Sequence, residues 1–267
     1  MLESITGSTQ NWSWGAYGKH PVANDYFRVG KKLPLMNLFA DWVDKGYPAV
    51  ASKENNLKGR CSWRFWARGS GKQDIVCGVI MNSSDSLGRP YPLLIMGTGQ
   101  LKYWDDQWDL LPLAVEKTWS QIEYLSSRMF NDVKDLETSV RNIRPPHPEW
   151  PEFIEKRRAI VDVGTPINQE DLIPNFRKMK EQAVRLSAQL EGFISLDQKT
   201  SHDEFTLILL WHFLFKSSGK NIPNAVFIGG TMEKTYLAFF NRPLNSSDFV
   251  HLWSFPLEGA EEKQRDI

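Results

Sequence analysis

The strongest constraint on the fold of this chain comes from two near-continuous apolar runs, Ile75 to Asn82 and Tyr91 to Met96. A strand with one wet face alternates apolar with polar residues. Val76, Val79 and Ile80, then Leu93, Leu94 and Ile95, do not alternate, so these strands are expected to be covered on both faces. The link between them carries a Ser-Ser-Asp-Ser-Leu-Gly turn, and a third strand, Ser62 to Ala67, precedes them across Gly-Ser-Gly. Such short connections favour an antiparallel meander over parallel crossovers.

Helices are available for the cover. Pro34 suits a first helical position, and Leu35, Leu38, Phe39, Trp42 and Val43 follow at helical spacing, with Gly46 and Pro48 expected to end the element. Val115, Trp119, Ile122, Leu125 and Met129 form a second stripe, and Val133, Leu136, Val140 and Ile143 a third, after an interruption near Asn131. Pro145, Pro146, Pro148 and Pro151 make 144–151 an extended connector across the surface of one domain. Leu172, Phe176, Met179, Ala183, Leu186 and Leu190 form another stripe, with Gly192 placed to end it. The capping-box spacing of Ser201 and Glu204 favours helix over strand for Phe205 to Lys216.

A first strand over Ser13 to Lys19, a late hairpin of Ala225 to Gly229 and Thr235 to Phe240, and a short helix capped near Ser246 or Ser247 complete the pattern. An isolated hairpin is marginal, so the late one is expected to join the N-terminal sheet. One α/β domain over residues 1–267 is the economical account.

Charge narrows the function. Lys plus Arg and Asp plus Glu number 32 each, leaving no net field to draw nucleic acid or anionic lipid. The polar start Met1 to Gln10 lacks a secretory pattern, and Phe205 to Phe215 is about half the ~20 residues of a membrane span. A cytoplasmic location without membrane insertion is expected. Eleven Trp serve either a core or an interface, the core being favoured.

No catalytic, cofactor or metal constellation emerges from spacing. Arg68 to Gln73 lacks the leading Gly of a phosphate loop, and Gly97-Thr98-Gly99 lacks the rest of a dinucleotide fingerprint. His20, His147, His202, His212 and His251 show no metal-ligand spacing, and His212, between Trp211 and Phe213, reads as a hydrogen-bonded core residue. Cys61 and Cys77 give no disulfide or metal framework. Ser70 and Ser218 fall outside Gly-x-Ser-x-Gly. Asp105, Asp106 and Asp162 make no convincing carboxylate pair; the first two suit a helix N-terminus.

Two polar turns remain, Gly18 to Phe27 and Asp85 to Leu93. Gly18 permits unusual backbone angles, Pro21 stiffens its loop, and Asp25 is placed to accept from a neighbouring loop's amides. Gly88 serves the second turn, and Arg89 offers a planar fork for a carboxylate. An internal pairing of Asp25 with Arg89 is the favoured reading. The alternative is a small-molecule or nucleotide-binding enzyme site built on Lys19, Asp25 and Arg89.

In their order along the chain these residues resemble the TagF family, also called ImpM, accessory proteins of bacterial type VI secretion systems. Gly18, Lys19, Pro21 and Asp25, with Phe27 nearby, match the family's first turn. Trp63, Arg64 and Phe65 match its Trp-Arg-Phe strand. Ser83, Asp85, Gly88, Arg89, Pro92 and Leu93 match its second turn, with Tyr91 replacing Phe, while His20 for Leu and Asn24 for Gly are departures. Weaker likeness continues over Ala225 to Gly230 and Leu237 to Trp253.

The resemblance implies a three-layer αβα sandwich with a mixed, largely antiparallel central sheet. It further implies a non-enzymatic role: posttranslational repression of secretion through a forkhead-associated scaffold protein. The serine/threonine phosphatase domain of some relatives has no counterpart here, so any phosphatase partner would be a separate chain. A structural part of the apparatus is a further reading. Gly18, Lys19, Pro21, Asp25, Trp63, Arg64, Asp85, Gly88, Arg89 and Pro92 are expected to brace the fold.

Overall fold

A computed structural model describes residues 12–52, 61–164, 176–196, 203–219 and 221–254. Its strands are β1 (Ser13–Gly18), β2 (Phe27–Gly30), β3 (Ser62–Arg68), β4 (Asp74–Met81), β5 (Leu93–Gln100), β6 (Glu191–Ser195), β7 (Ala225–Gly230) and β8 (Thr235–Phe240). They form an 8-stranded sheet in the order β2-β1-β5-β4-β3-β7-β8-β6, so the late hairpin does join the N-terminal strands. Each neighbouring pair is antiparallel, and the parallel share of the expected mixed sheet is missing among the described strands. Tight turns such as the one joining β3 to β4 reverse the chain and permit only that pairing.

Strand pleating explains the apolar runs. In β4, Ile75, Cys77 and Val79 enter one core while Val76 and Ile80 enter the other; in β5, Leu93 and Ile95 oppose Leu94 and Met96. One core is closed by α1 (Pro34–Ala51) and α7 (residues 246–254). The other is closed by α2 (Leu111–Ser127), α3 (Val133–Arg141), α4 (Trp150–Gly164), α5 (Phe176–Ser187) and α6 (Glu204–Ser218). The result is three layers, helix, sheet and helix. All but Trp12 and Trp150 of the eleven Trp are buried, so this residue mainly fills the two cores.

Several local expectations are corrected by packing. Helix α1 runs through Gly46 and Pro48, because buried Tyr47 and Val50 hold its last turn against the ~3 kcal/mol that an internal Pro costs. Gly46 is a close-contact site: a Cβ there would lie 2.5 Å from Phe249 Cβ. Gly192 likewise does not cap a helix but sits in β6 opposite Phe239, whose ring covers it. Pro151 lies in the first turn of α4 instead of stopping helix, the position where a missing N–H is harmless.

Helix α2 ends at Ser127, leaving Met129 exposed, and α5 ends at Ser187, leaving Leu190 exposed. Asp203 caps α6 by accepting from Thr206 N. Ser201 and Leu172 lie outside the described residues. β2 follows the first turn directly, in a stretch whose sequence reads as loop.

Candidate functional site

The two motif turns meet at the end of β1 and β5. Gly18, opposite Leu93, has a φ of 121°, and a Cβ there would lie 2.0 Å from Pro92 O, so no side chain fits this approach. Lys19 N then donates to Pro92 O, and the chain turns at Pro21. Ser86 N donates to Ala23 O, locking the second turn onto the first. Gly88 has a φ of 77° with no atom near its missing Cβ, so it serves the turn and not a close approach.

Asp85, whose side chain is 0% exposed, is the hub of this junction. Its carboxylate accepts from Leu87 N at 3.0 Å, Arg89 N at 3.0 Å and Arg89 Nε at 2.7 Å, and pairs with Lys19 Nζ at 3.0 Å. These donors occupy the roughly four acceptor sites a carboxylate offers. Burial works to raise its pKa but is outweighed by the bonds from Lys19, Arg89 and Leu87, which hold it at about 2.

The expected pair of Asp25 with Arg89 forms, but loosely, and Asp85 holds the same guanidinium more closely. Arg89 Nη2 is 3.8 Å from Asp25 Oδ1 with both side chains largely exposed, whereas the same nitrogen donates to Asn24 O at 2.6 Å. Asp25 accepts from Tyr26 N, its own neighbour, and not from the second turn. Asp85 is four residues from Arg89 and begins its own turn, which gives it first claim on that guanidinium.

An aromatic wall adjoins the hub. Lys19 Nζ lies 4.7 Å from the Tyr26 ring centre, and Tyr26 and Tyr47 both pack edgewise on Tyr91. Asp44, from α1, accepts from the hydroxyls of Tyr17 and Tyr91. Burial, reinforced by this carboxylate, pushes the Tyr17 hydroxyl up to about 12 and raises Tyr91 as well. Asp44 and Tyr26 carry no spacing signal, so the sequence did not single them out.

Trp63 and Arg64 do not join the hub. Trp63 enters the α1 core, donating to Leu252 O at 3.1 Å, while Arg64 points the other way and grips Glu123 of α2 through two 2.7 Å bonds. They tie the sheet to its two helical layers. His212 is a core residue: its Nε2 accepts from Trp66 Nε1 and its Nδ1 faces Ile208 O at 2.8 Å. Burial lowers its pKa to about 4. Burial raises both buried thiols, Cys61 to about 12.

Two further charged clusters were missed from sequence. Asp109, next to the start of α2, is buried and bound by Arg157 Nη1 and Lys216 Nζ, each at 2.6 Å. It takes the helix-start place expected of Asp105 and Asp106, which lie in the preceding turn. Asp248 is buried and held by Arg242 through two 2.7 Å bonds, with Glu191 on the same guanidinium. His251 lies beside Glu191 and Asp248 in a group of metal-ligand types, but the cation on those carboxylates is Arg242. The side chain of Asp162 lies outside the described residues.

No described helix is long and apolar enough to cross a membrane. No curated relative matches the chain. The crystal structure of PA0076 from Pseudomonas aeruginosa PAO1 is similar in fold, with a TM-score of 0.50 at 17% identity, covering 90% of this chain and 94% of that one. Residues 15–144, which run from β1 past both motif turns to the end of α3, match the family described as TagF N-terminal domain, Type VI secretion system-associated. Over that segment, just under half of its length, the chain carries a TagF N-terminal domain of the type VI secretion system-associated kind.

Proposed function

We propose that this chain is a binding module, not an enzyme: a cytoplasmic, posttranslational repressor of type VI secretion that holds a forkhead-associated scaffold protein. The observation that carries this reading is the saturation of Asp85 by Lys19, Arg89 and two turn amides. A general base or ligand-holding carboxylate needs a free acceptor position. Here Lys19, Asp85 and Arg89, three of the charged motif residues, are engaged in joining two turns. The association of residues 15–144 with type VI secretion supplies the biological setting.

Deletion of the gene in its native host is expected to raise secretion, with the wild-type gene restoring repression and the purified chain retaining the scaffold. Unchanged secretion together with no scaffold association refutes the proposal. Saturable binding of ATP to the purified chain, abolished by Arg89→Glu without loss of fold, would instead move the assignment to a nucleotide-binding role.

A further inference from the structure

A cleft of about 730 Å³ opens between α1, at Leu38, Trp42 and Lys45, and the end of β3. Its depth has a simple origin. β3 and β7 pair Phe65 with Phe227, and these rings, with Phe39 and Trp42 above them, fill the space under the helix. One row along the same face, the pair is Ala67 with Ala225, and the floor drops where two aromatic side chains would otherwise stand. Trp42 Nε1 donates to Asn245 O at 2.7 Å and fixes the far wall.

At the mouth stands Leu38, part of the apolar stripe of α1 yet 64% exposed. Lys45 and Arg68, both exposed, line the same cleft and enter no ion pair or side-chain hydrogen bond among the described residues. Asp41 is the sole carboxylate of the lining among those residues. A trough of mixed lining, with an apolar floor and a surplus of unpaired cations on its rim, is complementary to an amphipathic segment carrying acidic side chains.

We propose that this cleft seats an acidic, amphipathic segment of a protein partner, its apolar side chains entering above Ala67 and Ala225 and its carboxylates meeting Lys45 and Arg68. The assignment rests on reading the chain as a binding module and supplies the contact surface which that reading lacks.

The test uses fluorescence anisotropy with three labelled peptides of equal length: Leu and Glu at helical spacing, the same with Lys for Glu, and the same with Ser for Leu. The wild-type chain is expected to bind the acidic amphipathic peptide at least about tenfold more tightly than either control. Leu38→Asp abolishes that binding, and Lys45→Glu with Arg68→Glu reverses the preference toward the basic peptide. All three side chains are exposed, so melting temperatures stay at the wild-type value.

Equal binding of acidic and basic peptides, acidic binding that survives Leu38→Asp, or no binding by the acidic peptide overturns the proposal. A concentration-dependent dimer that Leu38→Asp dissolves gives the cleft to a second copy of the chain, which also overturns it. In the native host, full repression by the Leu38→Asp chain removes the cleft but leaves the proposed function standing. A deletion without effect on secretion removes the function itself.

Discussion

Helix α1 faces two regions of opposite character. Toward β1 and the motif turns it presents Asp44 and Tyr47, which enter a junction where hydroxyls, ammonium and guanidinium all find partners. Toward the end of β3 it presents Leu38, Asp41 and Lys45, which border an open trough without ion-pair partners among the described residues. A satisfied polar junction rigidifies the structure around it, because opening it exposes several buried charges together. A surface left apolar and unpaired adds little to folding and keeps its free energy for association. The motif-turn residues Gly18, Lys19, Asp85 and Arg89 sit in the first region, and the better candidate for contact is the second.

Substitutions that separate stability from binding test this contrast, and the largest effect is expected at Gly18. Gly18→Val places a side chain at a φ of 121° and against Pro92 O, and should cost at least about 3 kcal/mol in urea denaturation. A tolerated Gly18→Val would mean that the two turns are not locked. Next in size is an acid effect remote from both regions. His212 titrates at about 4 when folded against 6.5 when unfolded, so the unfolded state binds its proton first. Stability is full above pH 6.5 and falls by about 3 kcal/mol as pH drops to about 4.

The junction should respond below that window. Asp85 is held at about 2 against an ordinary 3.8, so its contribution is present above pH 3.8 and lost as pH falls through about 2. Asp85→Asn should lower the melting temperature at pH 7 and erase this second acid step; an unchanged step would assign it to other carboxylates. Arg89→Glu takes a donor from buried Asp85 and sets a second carboxylate beside it, and should cost about 2 kcal/mol by thermal melting, the half-exposed Arg89 end keeping the loss below that of Gly18→Val. Smallest of all is Leu38→Asp, expected within about 0.5 kcal/mol of wild type. A large stability loss there would make the trough part of the core and end the contrast.

How much of this was legible in the sequence depended on the range of the interaction that decides each feature. The dense apolar runs of β4 and β5 had to be covered twice, and the two cores follow. Gly18 and Gly88 marked turns through their own backbone freedom. Pro48, Gly46 and Gly192 misled, since their local meaning was overruled by Tyr47 and Val50, by Phe249 and by Phe239, partners distant in sequence or buried by distant elements. Asp85 was passed over as the closer partner of Arg89 for a related reason: two acids in loops look alike until burial gives one of them most of the donors.

The sequence by itself determined the class of fold, the TagF-like N-terminal segment and the turns that mark it, because strand patterning and turn chemistry are properties of neighbouring residues. Only the tertiary structure decided that Asp85 is the saturated centre, that Trp63 and Arg64 brace opposite layers, and that Leu38 opens onto a trough. Each of those outcomes depends on which strands become neighbours. Ala67 meets Ala225 only because β3 pairs with β7, across more than half the chain, and no local pattern records that pairing.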